Sequence, residues 1–283
     1  MQNKPQQILI VGMGDLGTEV AMRLLAEGLQ VMGVKRSPLQ HDAIKTIQAD
    51  VTKAESLQAL SALYPDILIY CVAASGQSDA EYKAAYVDGL RNVIATQQQN
   101  KNLQHVFFVS STRVYGQDTQ DLLNESIPAV PADFGGEQLL EAERLLRALS
   151  CKTTVLRLSG IYGPGRLRMI NLAKSAAAWP KQNSWSNRIH RDDAASFIVF
   201  LTKRALAAEL VADCYIVTDS CPVPQYTVLN WIAERLHCAQ PVQLPVSGGK
   251  RLHNQRLLET GFKLQYPDYR VGYQALINEI KRD

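Results

Sequence analysis

Short apolar runs alternate with amphipathic segments along the first part of the chain. The runs predict strands at residues 8–11, 30–34, 46–49, 67–72 and 106–109. The runs at 8–11 and 67–72 are apolar throughout, which is typical of parallel strands covered on both faces. Between the runs, apolar residues recur at helical spacing, most clearly at 16–25 and 78–99. This alternation predicts an α/β fold with a doubly wound parallel sheet of Rossmann type.

A glycine-rich turn joins the first strand to the first helix. Gly12, Gly14 and Gly17 match G-x-G-x-x-G in the strand-to-helix context that gives this motif its meaning. Gly12 permits the tight turn, Gly14 lets main chain approach a pyrophosphate, and Gly17 lets the helix lie close to the sheet. Asp15 and Leu16 begin the helix, whose N–H groups and partial positive charge favour phosphate. The alternative is a tight turn without a ligand, and the βαβ spacing disfavours it.

The ends of the next strands supply further candidates for a cofactor site. Lys35 and Arg36 end the second strand, about 20 residues after the turn, where a carboxylate favours NAD and a basic residue accommodates the 2′-phosphate of NADP. We therefore expect NADP or NAD with NADP favoured, and two solvated cations are the alternative. Asp50 or Thr52 is also expected to cap the helix whose apolar positions are Leu57, Leu60 and Leu63. The residues that follow the third and fourth strands complete the candidate set: Asp50, Val51, Ala73 and Ala74.

Composition narrows the class of protein. The chain has 283 residues, 46% of them hydrophobic, and its formal net charge of +3 is too small to indicate nucleic-acid binding. No run approaches the roughly 20 apolar residues of a membrane span, and no signal peptide is evident. The five cysteines are scattered without C-x-x-C, which favours reduced thiols over disulfides or zinc. We expect a cytoplasmic globular protein with a small-molecule substrate, no metal, no nucleic acid and no membrane, and leave a homodimer open.

The second half of the chain contains amphipathic helices separated by proline and glycine. Helices are expected at 137–149, 166–177, 192–201, 228–236 and 271–280, and Gly261 is expected to end a further helix. Residues 1–160 are expected to form the dinucleotide-binding domain, to which segments at about 185–220 return. Residues 161–184 and 221–283 are expected to form a small carboxyl-terminal α/β lobe for the substrate.

Four segments, in order, resemble a known superfamily. SSTRVYG at 110–116 follows the fifth strand, and VLRLSGIYGPG at 155–165, IHRDDA at 189–194 and YIVT at 215–218 come later. Together they resemble the extended short-chain dehydrogenase/reductase superfamily, which includes NAD(P)-dependent sugar epimerases and dehydratases. The resemblance extends from residue 8 to about 240 and implies an active site at Ser111. The Ser111 hydroxyl could bind a substrate carbonyl or merely close a strand, and Tyr115 could reach the ligand or fill the core.

The chain also departs from this superfamily at its acid–base pair. The superfamily carries Tyr-x-x-x-Lys on the helix after the serine, whereas Phe134 and Gln138 stand at those positions here. Tyr86 stands about where an asparagine is expected in the preceding helix. The chain therefore looks most like the atypical, YeeZ-like branch, which keeps the fold and the serine segment. From this departure we expect weak or altered catalysis.

Other polar residues have structural alternatives that we favour. His190 beside Asp192 and Asp193 could act in acid–base chemistry, but a positioning segment with an aspartate as helix cap is the better interpretation. Arg157 is expected to be a buried structural cation. Arg166 and Arg168 could face an anionic substrate or be solvated.

Three functional hypotheses follow. The first is an oxidoreductase, epimerase or dehydratase acting on a sugar-nucleotide-like or small carbonyl substrate, for which the cofactor supplies the hydride chemistry. The second is a non-catalytic dinucleotide-binding sensor or partner-binding protein, which the missing pair favours. The third, a β-hydroxyacid-type dehydrogenase, rests on the glycine turn alone, and the segments at 110–116 and 160–165 argue against it.

Overall fold

The computed structural model describes residues 6–38, 43–117, 119 and 121–281. In these ranges a central sheet contains the strands β1 (Gln7–Val11), β2 (Gln30–Lys35), β3 (Lys45–Gln48), β4 (Ile67–Tyr70), β5 (His105–Ser111), β6 (Lys152–Leu158) and β7 (Cys214–Val217). Their spatial order is β7-β6-β5-β4-β1-β2-β3, and β1 pairs in parallel with both β2 and β4. The chain therefore reverses its direction of winding between β1 and β4, where open α/β sheets bind their ligands. The predicted Rossmann-type fold is confirmed.

Burial in the central strands explains why the apolar runs were informative. All of β4 and nearly all of β1 is inaccessible to solvent, as expected for strands covered on both faces. The strand β4 ends at Tyr70, two residues earlier than predicted. The Cys71 amide still donates to the Val11 carbonyl at 2.7 Å, after which the chain leaves the sheet.

Helical segments alternate with the strands, as predicted. They are α1 (Asp15–Ala26), α2 (Asp79–Tyr82), α3 (Gly89–Thr96), α4 (Phe134–Leu146), α5 (Arg168–Ala173), α6 (Arg191–Leu206), α7 (Gln225–Arg235), α8 (Gln255–Glu259) and α9 (Tyr269–Ile280). In the described part of the chain, no helix combines the length and the apolar character needed to cross a membrane. The helix end predicted at Gly261 is confirmed, since α8 ends at Glu259 and Gly261 has a φ of +85°.

Two helix predictions before residue 100 need correction. The helix expected around Leu57, Leu60 and Leu63 is a 3-10 helix over Ala54–Ala62, and its N-cap, Lys53, makes no side-chain cap. The predicted capping role of Asp50 is wrong because its carboxylate accepts from the Thr52 amide at 3.0 Å within a local turn. The long helix expected at 78–99 contains the π-helical segment Lys83–Asp88 between α2 and α3.

Two later helices also begin or end elsewhere than predicted. The helix α4 starts at Phe134 instead of residue 137, because the Asp133 carboxylate accepts from the Gly136 amide at 2.9 Å and caps an earlier first turn. The helix α5 is shorter than the expected 166–177, because the chain first closes a turn in which the Arg166 amide donates to the Gly163 carbonyl.

The chain divides into two compact units. The first contains the described residues up to Tyr115 together with Ala129–Arg157 and Ala195–Tyr215. The second contains Gly116–Pro128, Leu158–Ala194 and the described residues from Ile216 onward. The core of the second unit is built largely from α5, α7 and α9, with Ile170, Ile232 and Tyr273 fully or almost fully buried. Its short strands were missed from the sequence: Leu122–Leu123, Gly160–Tyr162, Asn183–Ser186, Arg188–His190, Val223–Pro224, Val246–Gly249 and Arg251–Leu252.

Candidate functional site

The three glycines of the turn between β1 and α1 have separate tasks. Gly12 has a φ of +103°, and a Cβ at this position would overlap the main chain of Cys71. A Cβ on Gly17 would overlap the Gly12 carbonyl, with the Ile10 side chain of β1 3.6 Å away. By contrast, the Cβ direction of Gly14 meets open space. The turn needs Gly12 and Gly17 for its own shape and leaves room for a ligand at Gly14.

The start of α1 presents main-chain donors at this turn. Gly14 is the N-cap, and its carbonyl accepts from the Thr18 amide at 2.9 Å. Asp15 and Leu16 therefore lie in the first turn, where main-chain amides have no acceptor within the helix. The amides of Gly12 and Met13 both donate to the Val34 carbonyl, which ties the turn to β2. Such a helix start attracts phosphate through its amides and its dipole.

A cavity of about 550 Å³ opens beside the turn, within the first unit. Its walls come from the turn, from the carboxyl ends of β2, β3 and β4, and from α2 with the π-helical segment that follows it. Predicted cofactor residues in the wall are Gly12, Gly14, Lys35, Arg36, Asp50, Val51 and Ala73. The other predicted residues are Asp15, Leu16, Gly17 and Ala74, of which the first three belong to α1 and the last stands beside Ala73. The open Gly14 direction and the size of the cavity fit a dinucleotide with its pyrophosphate at α1.

Charged groups lie at one end of this cavity. Lys35 is half-buried and Arg36 is exposed, and both line the wall with Asp50. Burial alone would raise the Asp50 pKa, but hydrogen bonds from Thr52 and the positive charges of Arg36 and Lys53 hold it below its ordinary value. Asp50 is therefore an anion at neutral pH and lines the same cavity as the two cations that could meet a 2′-phosphate.

Ser111 ends β5, as the superfamily segment implies. Its hydroxyl accepts from the Arg113 amide at 3.1 Å and so caps the 3-10 turn Thr112–Val114. The side chain is only half-buried. The strand-closing role is thus present, and it leaves the hydroxyl proton available to a ligand.

Tyr115 belongs to the interior of the first unit. Its side chain is fully buried, and its hydroxyl accepts from Arg157 Nη1 at 2.6 Å. Arg157 in turn pairs with Glu143 through Nε at 3.1 Å and Nη2 at 2.6 Å, and Glu143 accepts from the Ser110 hydroxyl at 2.6 Å. The prediction of Arg157 as a buried structural cation agrees with this network. For Tyr115, a catalytic candidate from the sequence, the burial and the bond to Arg157 favour the core alternative over a ligand contact.

Phe134 and Gln138 lie on α4, where the tyrosine and lysine would stand. The Phe134 ring contacts the Tyr82 ring edge-on, with centroids 5.5 Å apart. Gln138 Nε2 donates to the Asp79 carboxylate at 2.7 Å. Neither side chain carries a proton that it could transfer near neutral pH.

Tyr86, in the place of the expected asparagine, lies in the π-helical segment. Burial raises its pKa, and this effect outweighs a hydrogen bond with the Ala74 main chain, which lowers it. The centroid of the Tyr86 ring lies 5.3 Å from that of Tyr82 and 6.5 Å from that of Phe108. Tyr86 therefore supports the loop after β4 that forms part of the cavity wall. A π-helical turn often occurs at such functional positions.

Sequence reasoning missed Arg113, which the structure brings next to Ser111, Phe134 and Tyr82. Its Nε donates to Asp133 and its Nη1 donates to the Tyr82 hydroxyl at 2.7 Å. Burial alone would lower the Arg113 pKa, but the bonds with Asp133 and Tyr82 outweigh it and raise the pKa. A signal was available in the sequence. Two glycines stand directly before the helix predicted at 137–149, and α4 includes both of them, although glycine is unfavourable in a helix unless a neighbour needs the space.

The predicted polar residues of the second unit are mostly structural. His190 is buried, its ring lies against the tilted Tyr266 ring with centroids 3.8 Å apart, and its Nδ1 accepts from the Asp192 amide at 3.2 Å. Asp193 accepts from the amides of Gln265 and Tyr266, both at 2.8 Å. These bonds agree with a positioning role for the segment. The further candidates Arg166 and Arg168 are exposed.

One buried carboxyl in the second unit was not predicted. Asp219 is 1% exposed, and burial raises its pKa to about 7 even though Arg188 Nη1 lies 3.7 Å away. Its Oδ1 accepts from the Cys221 amide at 3.1 Å. No motif identifies such a residue, because the shift comes mainly from burial, with smaller contributions from charges elsewhere in the chain.

Comparison with known proteins defines the class of this chain. Residues 8–210 match the NAD dependent epimerase/dehydratase family, and the chain belongs to that family. Membership and the glycine cradle together support a nicotinamide dinucleotide as the cofactor.

Particular relatives extend the comparison over almost the whole chain. The chain is 29% identical over 282 residues to Protein YeeZ of Escherichia coli strain K12, covering 93% of this chain and 97% of that protein. A Methylobacillus flagellatus protein classed as an NAD-dependent epimerase/dehydratase is 47% identical, with a TM-score of 0.90 over 98% of this chain and 100% of that chain. The Bordetella bronchiseptica enzyme WbmG, solved with NAD and UDP, has a TM-score of 0.79 at 17% identity over 98% and 96% of the chains, which shows the fold alone.

Proposed function

We propose that this chain binds NADP(H) in the cavity beside the glycine turn and acts as an oxidoreductase with weak or altered catalysis. The substrate class is a sugar-nucleotide-like or small carbonyl compound. The observation that carries the proposal is the open Cβ direction of Gly14 at the N-terminus of α1, beside a cavity of about 550 Å³. When bound, the nicotinamide supplies the hydride chemistry.

Different residues of this chain would bind different parts of the cofactor. The first-turn amides of α1 would bind the pyrophosphate, and the small side chain of Ala73 would leave room at the end of β4. Lys35 and Arg36 would meet the 2′-phosphate, since no carboxylate ends β2. Asp50 would stay ionised beside them and limit the excess of positive charge.

At the catalytic end, Ser111 is the group we propose to contact the substrate. A half-buried hydroxyl can orient and polarise a carbonyl, but a neutral serine is a poor proton donor. General acid–base help typically contributes about 10²–10⁴-fold. Because Phe134 and Gln138 cannot supply it, we expect little turnover with ordinary aldehydes, ketones or nucleotide sugars.

A second candidate function is a non-catalytic dinucleotide-binding sensor. The observation that favours it is the engagement of Gln138 with Asp79 at 2.7 Å, together with the hydrocarbon ring of Phe134. These residues connect α4 to α2 in the place of the acid–base pair. A sensor needs the cavity but has no need of a proton donor.

Calorimetric titration with NADP(H) and NAD(H) tests the cofactor assignment. A charge-assisted hydrogen bond to the 2′-phosphate should favour NADP(H) by about 1–3 kcal/mol. The Lys35→Ala, Arg36→Ala double variant should lose this preference and remain folded. Equal affinities in the wild type, or a preference for NAD(H), would refute the assignment.

A substrate panel, followed by absorbance of the reduced nicotinamide, separates the two functions. Weak turnover that Ser111→Ala abolishes supports the oxidoreductase, whereas binding without turnover supports the sensor. Robust turnover that Ser111→Ala leaves intact would show that the active site lies elsewhere. Robust turnover lost in Ser111→Ala would keep the site and refute weak catalysis.

A further inference from the structure

The Arg113 guanidinium is held in one position by four side chains of the first unit. Its Nε donates to both Asp133 oxygens, at 2.9 and 3.1 Å, and its Nη1 donates to the Tyr82 hydroxyl at 2.7 Å. Its Cζ lies 4.8 Å from the Tyr82 ring centroid and 5.1 Å from that of Phe134. Gln77 Oε1 accepts a further bond from Nη1 at 3.3 Å. An arginine fixed in this way loses little side-chain entropy when it binds a ligand.

The start of α4 is shaped to admit this guanidinium. A Cβ on Gly135 would overlap Arg113 Cζ, and a Cβ on Gly136 would stand 2.7 Å from the Arg113 carbonyl oxygen. Glycine in a first helical turn lowers helix stability, so both positions have a cost that the arginine explains. The Asp133 carboxylate both caps this turn and forms an ion pair with Arg113. The segment D-F-G-G at 133–136 and Arg113 therefore form one structural unit.

The guanidinium keeps donors for a further partner. Its Nη2 donates to none of the residues that the structure describes, and the Arg113 side chain is 29% exposed. Burial alone would raise the Asp133 pKa, but hydrogen bonds from Arg113 and Gly136 hold it below its ordinary value, so Asp133 stays ionised. The Asp133 side chain is itself 45% exposed and also accepts a hydrogen bond from the Gly136 amide. Arg113 is therefore oriented by its carboxylate partner and still open to solvent.

We propose that Arg113 binds an oxyanion of the substrate, a carboxylate or a phosphate group, through its Nη2 donors. The site lies two residues after Ser111, whose hydroxyl already accepts from the Arg113 amide. The inference rests on the proposed function and deepens it: the substrate is an organic anion. Arginine stays charged throughout the physiological range, so Arg113 would position the substrate and would not deliver a proton.

Anion titration monitored by the thermal midpoint tests this assignment, with phosphate and malonate as the two probes. Each is titrated alone and with NADP⁺ present, because phosphate also fits the N-terminus of α1. Wild type should bind at least one probe in the presence of NADP⁺. Arg113→Gln should bind that probe about 10- to 100-fold more weakly, as expected for the loss of a charge-assisted bond. Which probe responds distinguishes carboxylate from phosphate.

Two further variants keep the test decisive. Arg91→Gln is the matched control, because Arg91 also pairs with a carboxylate, Asp88 at 2.8 Å, but is 56% exposed and has no aromatic clamp. It should leave anion binding within twofold of wild type. Arg113→Lys keeps the charge without the planar fork and should still bind at least about fivefold more weakly. If Arg113→Gln fails to fold, Arg113→Lys tests the inference in its place.

The outcomes separate this inference from the proposed function. Unchanged anion binding in Arg113→Gln or Arg113→Lys, or an equal loss in Arg91→Gln, would overturn the inference and leave dinucleotide binding untouched. Absence of any NADP(H) or NAD(H) binding by wild type would instead overturn the proposed function. Loss of the anion in Arg113→Gln with an unchanged dinucleotide Kd would support both.

Discussion

The glycine turn after β1 and the serine end of β5 lie in the first unit, with β4 between the two strands, but they follow different physical rules. At the turn, shape is set by missing side chains, because Cβ atoms on Gly12 and Gly17 would overlap main-chain atoms. At the serine end, shape is set by side chains that bind one another, with Arg113 clamped by Asp133 and two aromatic rings. The turn retains what a dinucleotide needs, whereas the serine end lacks the acid–base pair.

This difference teaches where function can change without loss of fold. A main-chain cradle admits few substitutions, since any side chain at Gly12 is strained by its φ of +103°. A side-chain cluster can be exchanged as a set. Phe134, Gly135 and Arg113 fit one another, although none of them supplies the proton transfer that the superfamily uses.

The largest expected effect concerns the buried ion pair that supports the serine end. Arg157→Met leaves Glu143, which is 2% exposed, without its cation, and should lower the free energy of unfolding by about 3–5 kcal/mol. Urea denaturation measures this loss. Arg144→Met is the control, because the Arg144–Glu141 pair at 3.1 Å is largely exposed and should change stability by less than about 1 kcal/mol. Equal losses in the two variants would mean that this end needs no buried ion pair.

The opposite end of β5 should respond to acid. His105 is buried against Thr154, and burial lowers its pKa to about 4 from the ordinary 6.5. The unfolded chain therefore binds a proton between these values that the folded chain excludes, so stability falls as the pH drops from 6.5 to 4. The loss should reach about 3 kcal/mol at pH 4, and His105→Gln should remove that part of the acid sensitivity.

Urea midpoints of wild type and His105→Gln, taken at half-unit steps between pH 7 and 4, give the comparison. Other carboxyl groups titrate in the same range, so the difference between the two proteins is the relevant quantity. If both proteins lose stability in parallel, His105 is charged in the folded state and the interpretation of its environment is wrong.

The smallest expected effect comes from restoring the missing pair. Phe134→Tyr with Gln138→Lys returns an ionisable hydroxyl and a cation to α4, and any carbonyl reduction should rise by at least about 10-fold. The Arg113 clamp limits the gain, because its guanidinium lies against the ring at position 134. Adding Ser111→Ala to this variant should remove the gain. Turnover that stays at the wild-type level would mean that the pair is not what distinguishes the two ends.

The sequence predicted the sheet and the turn well because both depend on local patterns. The predicted runs at 8–11 and 67–72 are apolar throughout, and the glycine spacing identifies the turn although its shape also depends on Val34 and Cys71. Phe134 and Gln138 were found for the same reason, as departures from a short motif. The helix at 78–99 was predicted, but its π-helical interruption at Lys83–Asp88 was missed, since helical periodicity does not show a π-helical turn.

The parts that could not be predicted depend on contacts between distant segments. Arg113 gains its role from Asp133, 20 positions later, and from Tyr82, 31 positions earlier. Tyr115 looked equally suited to ligand or core until Arg157, 42 positions away, was seen to bind its hydroxyl. The short strands of the second unit contain two to four residues each, too few to show a period.

Titration of NADPH into wild type and Gly14→Val tests most directly the claim that the glycine turn is a working cofactor cradle. Wild type should bind one NADPH per chain. Gly14→Val should bind at least about 100-fold more weakly while its free energy of unfolding stays within about 1 kcal/mol, because the added side chain enters the open space at Gly14. Equal affinity in the two proteins, or no binding by wild type, would contradict the claim.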